Sequence, residues 1–437
     1  MVIEEITGRI ARDLEHLKQY TATPGNGCTR LPFTKEARKA VDYLKELMHE
    51  IDLEVSEDAA GNVFGVLKGE DLDAPCVMMG SHYDSVTNGG DYDGIAGVIC
   101  AIEVARLLRE KGLKPKRSFV AAGFNDEEGM RFGTGYFGSG AMLGHRDVEY
   151  TKKFCDKDGI SIYDAMKEYG LVPEQVSEAA WGDGKIGSFL EVHIEQGPVL
   201  DTEGIELGLV DCIVGIQRYM VTVNGRADHA GTTPMDMRMD AVDAATKVIS
   251  KIADWAREKA DGTVATVGYI NTVPGGMNIV AEKVEFTVDI RSRNNDNIND
   301  IAARIKKALE RETAEYGGSY EIENKLTITP VELSAEMLDI MEEECKELGY
   351  SYKRMLSGAG HDALEIGQNL PTVMLFLPSK DGRSHCPVEF TKYSDFAKGT
   401  VIMQKLAEEG KIAIRNTRRD TMDQIKKMKK DSVITED

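Results

Sequence analysis

Residues 75–112 read PCVMMGSHYDSVTNGGDYDGIAGVICAIEVARLLREKG. The apolar run at 75–80 is short, unbroken and ends in a polar, glycine-rich loop, which reads as a strand buried on both faces. Beyond the loop, Ile95, Val98, Ile99, Ile102, Ala105 and Leu108 recur at the spacing of an amphipathic helix over residues 94–112. Further apolar runs of strand length follow at 118–124 (SFVAAGF), 189–194 (FLEVHI) and 372–377 (TVMLFL). Strands alternating with helices predict an α/β fold, a mainly parallel sheet covered by helices.

From about residue 214 the rhythm changes. Residues 218–223 (RYMVTV) alternate like a half-exposed strand, and residues 240–260 carry a helical pattern. Two more strands are expected near 263–270 and 284–291, a helix near 298–316 and a strand at 319–326. That order, β-α-β-β-α-β, is the ferredoxin-like arrangement. The expected organisation is therefore a larger discontinuous domain (1–212 and 329–410), an inserted α+β domain (213–328) and a charged tail (411–437). The basic run at 426–430 in that tail reads as a solvated helix or frayed end.

At 437 residues the chain suits two domains, and 42% hydrophobic with 29% charged residues is ordinary globular composition. A formal net charge of −21 argues against nucleic acid and against an anionic membrane surface as partners. The N-terminal residues MVIEEITGRIARDLEHL have neither the basic start nor the apolar stretch of a signal peptide, and no apolar run is long enough for a membrane span. Seven cysteines (28, 76, 100, 155, 212, 345 and 386) are scattered and never form a CxxC pair. They read as reduced thiols of a cytoplasmic protein.

The chemistry is carried by where histidines and acids fall. His82, His193 and His385 each lie at or just beyond an apolar run, and in open α/β sheets ligands gather outside the carboxyl ends of the strands. In the loop after the first strand, Asp84 is placed to orient His82. The turn at Gly89 and Gly90 lets Asp93 come back toward it, and one carboxylate can bridge two cations. Two adjacent glutamates in FNDEEGMRFG (124–133) repel unless a cation relieves them. Glu128 is assigned to metal and Glu127 to general base, with the reverse assignment open. EVHIEQGP (191–198) adds His193 as a ligand and Gln196 as an amide contact. In SGAGHDA (357–363), Gly360 lets backbone approach a ligand and His361 adds a polar group. Each histidine alone is more often a packed or surface residue; the combination shifts the balance. In the small domain, His229 in RADHAGTTPM is suited to donate to a developing oxyanion if domains or subunits close. Asn278 and Arg291 stand near strand ends, and Arg291 suits a substrate carboxylate.

With these residues in hand, the sequence resembles the dinuclear-metal amidohydrolases of the aminoacylase and carboxypeptidase superfamily. Within it, the sequence is similar to the hydantoinase/carbamoylase branch: N-carbamoyl-L-amino-acid hydrolases, β-ureidopropionases and allantoate amidohydrolases. The likeness runs from about residue 20 to 405 through GSHYDSVTNGGDYDG, DEEGMRFG, EVHIEQGP, HAGTTPM, MNIV, DIRSR, SGAGHDA and SHCPVE, in that order. The resemblance implies that His82 and His193 bind one metal, Glu128 and His385 the other, and that Asp93 bridges them. It implies Glu127 as the proton-transferring group and two divalent ions, usually zinc, with manganese, cobalt or nickel sometimes preferred. It further implies a homodimer formed by the inserted domain, with His229 reaching the partner's active site. Gln196, Asn278, Arg291, Gly360 and His361 would contact a small ureido or amide substrate bearing a carboxylate, with Arg291 as its anchor. The implied activity is cleavage of the ureido bond of an N-carbamoyl-L-amino acid, with allantoate as the alternative substrate.

Departures touch the substrate and not the ligands. MNIVAE stands where many relatives have NVIP, and Cys386 where serine is frequent. IVGIQRY (213–219) is closer to the allantoate enzymes and TVGYINTVPGGMNIV (266–280) to the carbamoylases. A peptidase of the wider superfamily commonly has a carboxylate where His193 stands. A metal-free binding relative would lack a ligand, and all five positions are filled.

Overall fold

The computed structural model describes residues 3–409, so the tail expected at 411–437 lies outside the described residues. The chain divides into two compact units. The first comprises residues up to Asp211, Leu333–Met355 and the chain from His361 onward; the second is Cys212–Glu332 with Leu356–Gly360. Gly360 thus joins the second unit, because the Val214 amide donates to the Ser357 carbonyl at 3.0 Å and ties that short segment to it.

In the first unit four parallel strands lie side by side in the order Phe119–Phe124, Cys76–His82, Ile186–Ile194, Thr372–Leu377. Their residues are buried almost without exception, as expected of strands covered on both faces. The sheet is extended by antiparallel strands: Val63–Leu67 and Glu54–Glu57 on one side, Leu207–Ile213 on the other. The fold is a mixed α/β one with a mainly parallel centre, as expected, and antiparallel strands at its edges.

The helix Ile95–Glu110 differs from its sequence reading. Its expected apolar face is buried, but so are Ala96, Cys100, Ala101, Val104 and Leu107. Helices Ile3–Leu17 and Tyr393–Glu409 pack on it, so it is the centre of a helical layer and not its surface. Glu103, in the middle of this helix, is buried and receives Arg9 Nε of the first helix at 2.9 Å, which satisfies a charge that would otherwise be costly. A separate apolar cluster joins short helices, including Phe137–Met142 and Ile162–Tyr169, around Phe33, Phe132, Phe137 and Met166. Arg30, itself buried, donates to the carbonyls of Leu17 (2.7 Å), Tyr20 (3.1 Å) and Tyr83 (3.3 Å). It thereby fixes the end of the first helix to the residue just after His82. Hydrogen bonds to a charged donor contribute about 1.5–3 kcal/mol each.

The second unit runs β-α-β-β-α-β. Its antiparallel sheet has the order Ser319–Ile328, Gly215–Asn224, Lys283–Ser292, and then an edge strand in two pieces, Val264–Thr266 and Ile270–Val273. Strict alternation along Lys283–Ser292 turns Val284, Phe286, Val288 and Ile290 into a core with helices Ala241–Arg257 and Asn295–Tyr316. The edge was expected as a single strand over 263–270. It breaks near Gly268: Thr266 faces Asp289 and Ile270 faces Phe286, so the edge carries one residue more than its partner, a bulge.

Candidate metal centre

The four parallel strands all end at the same edge of the sheet, and each carries a candidate ligand out of it. His82 is the last residue of its strand, and His193 the last but one of its own. Glu127 and Glu128 follow Phe119–Phe124, and His385 follows Thr372–Leu377 after a short turn. Asp93 closes the loop before the helix Ile95–Glu110. The carboxylate of Asp93 divides between the histidines: Oδ1 lies 3.0 Å from His193 Nε2 and 3.5 Å from His82 Nε2, and Oδ2 lies 3.2 Å from His385 Nε2. Glu128 Oε1 is 3.4 Å from His385 Nε2, and Glu127 Oε2 is 3.8 Å from His82 Nε2. Three overlapping groups have all their ligand atoms within 4.8 Å of one another: His82 with Asp93 and His193, His82 with Glu127 and Glu128, and Asp93 with Glu128 and His385.

These contacts fit a divalent cation. His82 Nδ1 faces the Asp84 carbonyl at 3.1 Å and His193 Nδ1 faces the Ile194 carbonyl at 2.9 Å, which places the ring proton on Nδ1 and a lone pair on Nε2. Those lone pairs point at carboxylate oxygens. His193 Nε2, Asp93 Oδ1 and Glu128 Oε1 are buried and have no hydrogen-bond partner. Acceptor against acceptor is repulsive, and a cation among them turns each contact attractive. The charge balance agrees. Burial pushes the Glu128 carboxyl up to about 7, with Asp93 adding to it, and holds Glu127 well above the usual carboxylate range. Burial opposes the charge on Asp93 too; protons on His193, His385 and His82 would hold that carboxyl well below its ordinary range, and a cation supplies the same positive charge while leaving each Nε2 its lone pair.

Backbone strain gathers here. Asp126 (φ +57°), Gln196 (φ +57°) and His385 (φ +55°) adopt the left-handed conformation that non-glycine residues seldom take. Gly94 (φ +65°) lies so close to His82 that an added Cβ would enter the imidazole ring. Gly94→Ala is therefore expected to displace His82 and lower the bound metal measured by elemental analysis. Gly112→Ala has the same φ and nothing within 4 Å, so it isolates the backbone strain and is expected to leave metal content unchanged.

Asp84 does more than the sequence suggested. Its carboxylate is 3.6 Å from His82 Nδ1, which faces its carbonyl instead, and it accepts from the amides of Glu127 (3.1 Å) and Glu128 (3.3 Å). It thus links the loops of two candidate ligands. Gln196 Nε2 donates to Asp93 Oδ2 at 2.8 Å and lies 3.2 Å from His385 Nε2. His361 is buried with its ring 4.4 Å from that of His193; burial, then His193, keeps it well below the ordinary imidazole range and neutral. The sequence reading passed over Glu191, a buried acid that accepts from Ser81 Oγ (2.7 Å) and the Ala363 amide (2.9 Å). An acid inside the apolar run FLEVHI was its signal.

The remaining candidates belong to the second unit. His229 is exposed on the short strand Asp228–His229, which pairs with Ile279–Val280. Its Nδ1 accepts from the Gly231 amide at 3.1 Å, which leaves the proton on Nε2. Arg238 braces that loop through the carbonyls of Thr233 (3.0 Å) and Ala230 (2.6 Å), and the Asn278 carbonyl accepts from the Ala230 amide at 3.0 Å. Arg291 is already forked onto Asp289 (2.7 and 3.2 Å), and its Nη1 donates to the Gly358 carbonyl at 2.6 Å.

Residues 78–409 match peptidase family M20/M25/M40. The chain belongs to that family. Among its relatives, the N-carbamoyl-L-amino-acid amidohydrolase of Paenarthrobacter aurescens is 38% identical over 398 residues, 91% of this chain and 96% of that protein. The allantoate amidohydrolase of Bacillus subtilis is 36% identical over 398 residues, covering 90% and 96%. The crystal structure of a hydantoinase/carbamoylase family amidase from Burkholderia multivorans superposes with a TM-score of 0.87 at 30% identity, covering 92% of this chain and 97% of that one. As a member of the M20/M25/M40 family with these relatives, the chain is a hydrolase acting on C–N bonds of linear amides. Among the described residues, no helix is long and apolar enough to cross a membrane.

Proposed function

We propose that the protein is an N-carbamoyl-L-amino-acid hydrolase that releases the amino acid, ammonia and carbon dioxide, with two divalent cations per chain. Zinc is the first choice and manganese, cobalt or nickel are substitutes, since imidazole and carboxylate ligands suit all of them. His82 and His193 would hold one cation and Glu128 and His385 the other, with Asp93 shared between them. The division of the Asp93 oxygens between the two sets of partners is the observation that carries this reading. Bound there, the cations would lower the pKa of a shared water and polarise the ureido carbonyl. Glu127 would take a proton from the attacking water and return it to the departing nitrogen, base and then acid in one turnover.

Gln196, Asn278, Gly360 and His361 position the substrate, and Arg291 receives its carboxylate after giving up a present partner, Asp289 or the Gly358 carbonyl. The second unit forms a homodimer in this reading. It exposes Met235, Met237, Val264, Ile270, Met277 and Ile279, and Ile270–Val273 is a sheet edge. His229 of the partner subunit then donates from Nε2 to the oxyanion, for which its tautomer is already set. Seven free thiols suit a cytoplasmic location.

Allantoate amidohydrolase is the second reading, favoured by the Bacillus subtilis relative at nearly the same identity and by IVGIQRY. Ammonia release from N-carbamoyl-methionine, N-carbamoyl-β-alanine, allantoate and a dipeptide control, each with zinc, manganese or cobalt, separates them. The fastest turnover is expected with N-carbamoyl-methionine. Ammonia from allantoate alone installs the second reading, and cleavage of the dipeptide alone removes both.

A further inference from the structure

Beside the candidate ligands lies an acid to which the reading above gives no part. Glu389 is buried, 5% exposed, four residues after His385. Its Oε1 accepts from the backbone amides of Tyr92 (3.1 Å) and Asp93 (3.2 Å), and its Oε2 accepts from Ser384 Oγ (2.7 Å). The same hydroxyl lies 3.0 Å from Asp93 Oδ2. The side chain fits because Gly90 is bare: a Cβ there would occupy the place of the Glu389 carboxylate. One carboxylate thus holds the peptide that carries Asp93 from one side and the turn that carries His385 from the other.

We propose that Glu389 is a positioning residue, which locks the Asp93 peptide against the His385 turn and so sets the pocket for the cation shared by Asp93, Glu128 and His385. The inference rests on the cation-binding reading above. The two loops are distant in sequence, and hydrogen bonds to Glu389 and Ser384, with the Gln196 contact, join them at this point. Two amides require an acceptor, and glutamine supplies one in the same place. Its NH2 then donates to Ser384 Oγ, whose own proton is free to turn toward Asp93 Oδ2. Alanine supplies nothing.

The test titrates metal-stripped wild type, Glu389→Gln and Glu389→Ala with zinc alone, followed by kcat and KM on the zinc-loaded proteins. Wild type is expected to bind two ions. Glu389→Ala should keep the tighter ion and bind the second about 10- to 100-fold more weakly, the usual loss when a group supporting a ligand is removed. Turnover should fall with little change in KM, and Glu389→Gln should recover both affinity and turnover. Wild-type affinity for both ions in Glu389→Ala overturns the proposal, as does a glutamine variant no better than alanine. If Glu389→Ala does not fold, Ser384→Ala decides: weakened second-ion binding supports the lock, and unchanged binding contradicts it. A wild-type chain that binds no zinc would instead remove the cation reading itself.

Discussion

Glu127→Gln is expected to bind as much metal as the wild type and to lose turnover by a factor of about 10³, the middle of the range for a positioned proton-transfer group. Glutamine has nearly the shape of glutamate, and the Glu127 amide is held at 3.1 Å by Asp84 whichever side chain follows it. The variant therefore changes basicity at one oxygen and little else. The signature is a fall in kcat with KM and metal content preserved. Near wild-type turnover would transfer the proton-transfer role to another group, Glu128 being the first to examine.

The second large effect concerns His229. Alone, His229→Ala should lower kcat by a factor of about 10² to 10³, as removal of one oxyanion donor does. Mixed under conditions that exchange subunits with Glu127→Gln, it should regain activity. In the hybrid, the subunit that keeps Glu127 receives an intact His229 from its partner, so about one quarter of wild-type activity returns at random pairing in a two-fold dimer. No recovery in a mixture shown by mass to contain hybrids would place His229 on its own subunit's reaction, or on none.

Much of this architecture was legible because burial leaves a simple mark. Thr372–Leu377 is a parallel central strand, and its six residues stood out as an unbroken apolar run. Glu54–Glu57 did not: an antiparallel edge strand of four residues with alternating exposure has no such run. The helix Ile95–Glu110 showed its period but not its environment, because the covering helices come from the two ends of the described chain. The same division holds at the site. His82, Glu128, His193 and His385 could be picked out at or just beyond strand ends and Asp93 in the glycine-rich loop after one of them, and the structure brings their side chains together. Glu389 and the carboxylate of Asp84 act through backbone amides on other loops, a relation that no spacing within one segment displays. For Arg291 the sequence shows a chemistry suited to a carboxylate, while the structure adds its present partners, Asp289 on the same strand and the Gly358 carbonyl.

The central claim is that one carboxylate, Asp93, joins two cation sites. Anomalous diffraction at the zinc edge, from crystals of zinc-loaded protein, tests it most directly. Two peaks about 3.5–4 Å apart are predicted, one against His82 and His193, the other against Glu128 and His385, with Asp93 touching both. A single peak, or peaks away from Asp93, would contradict the account.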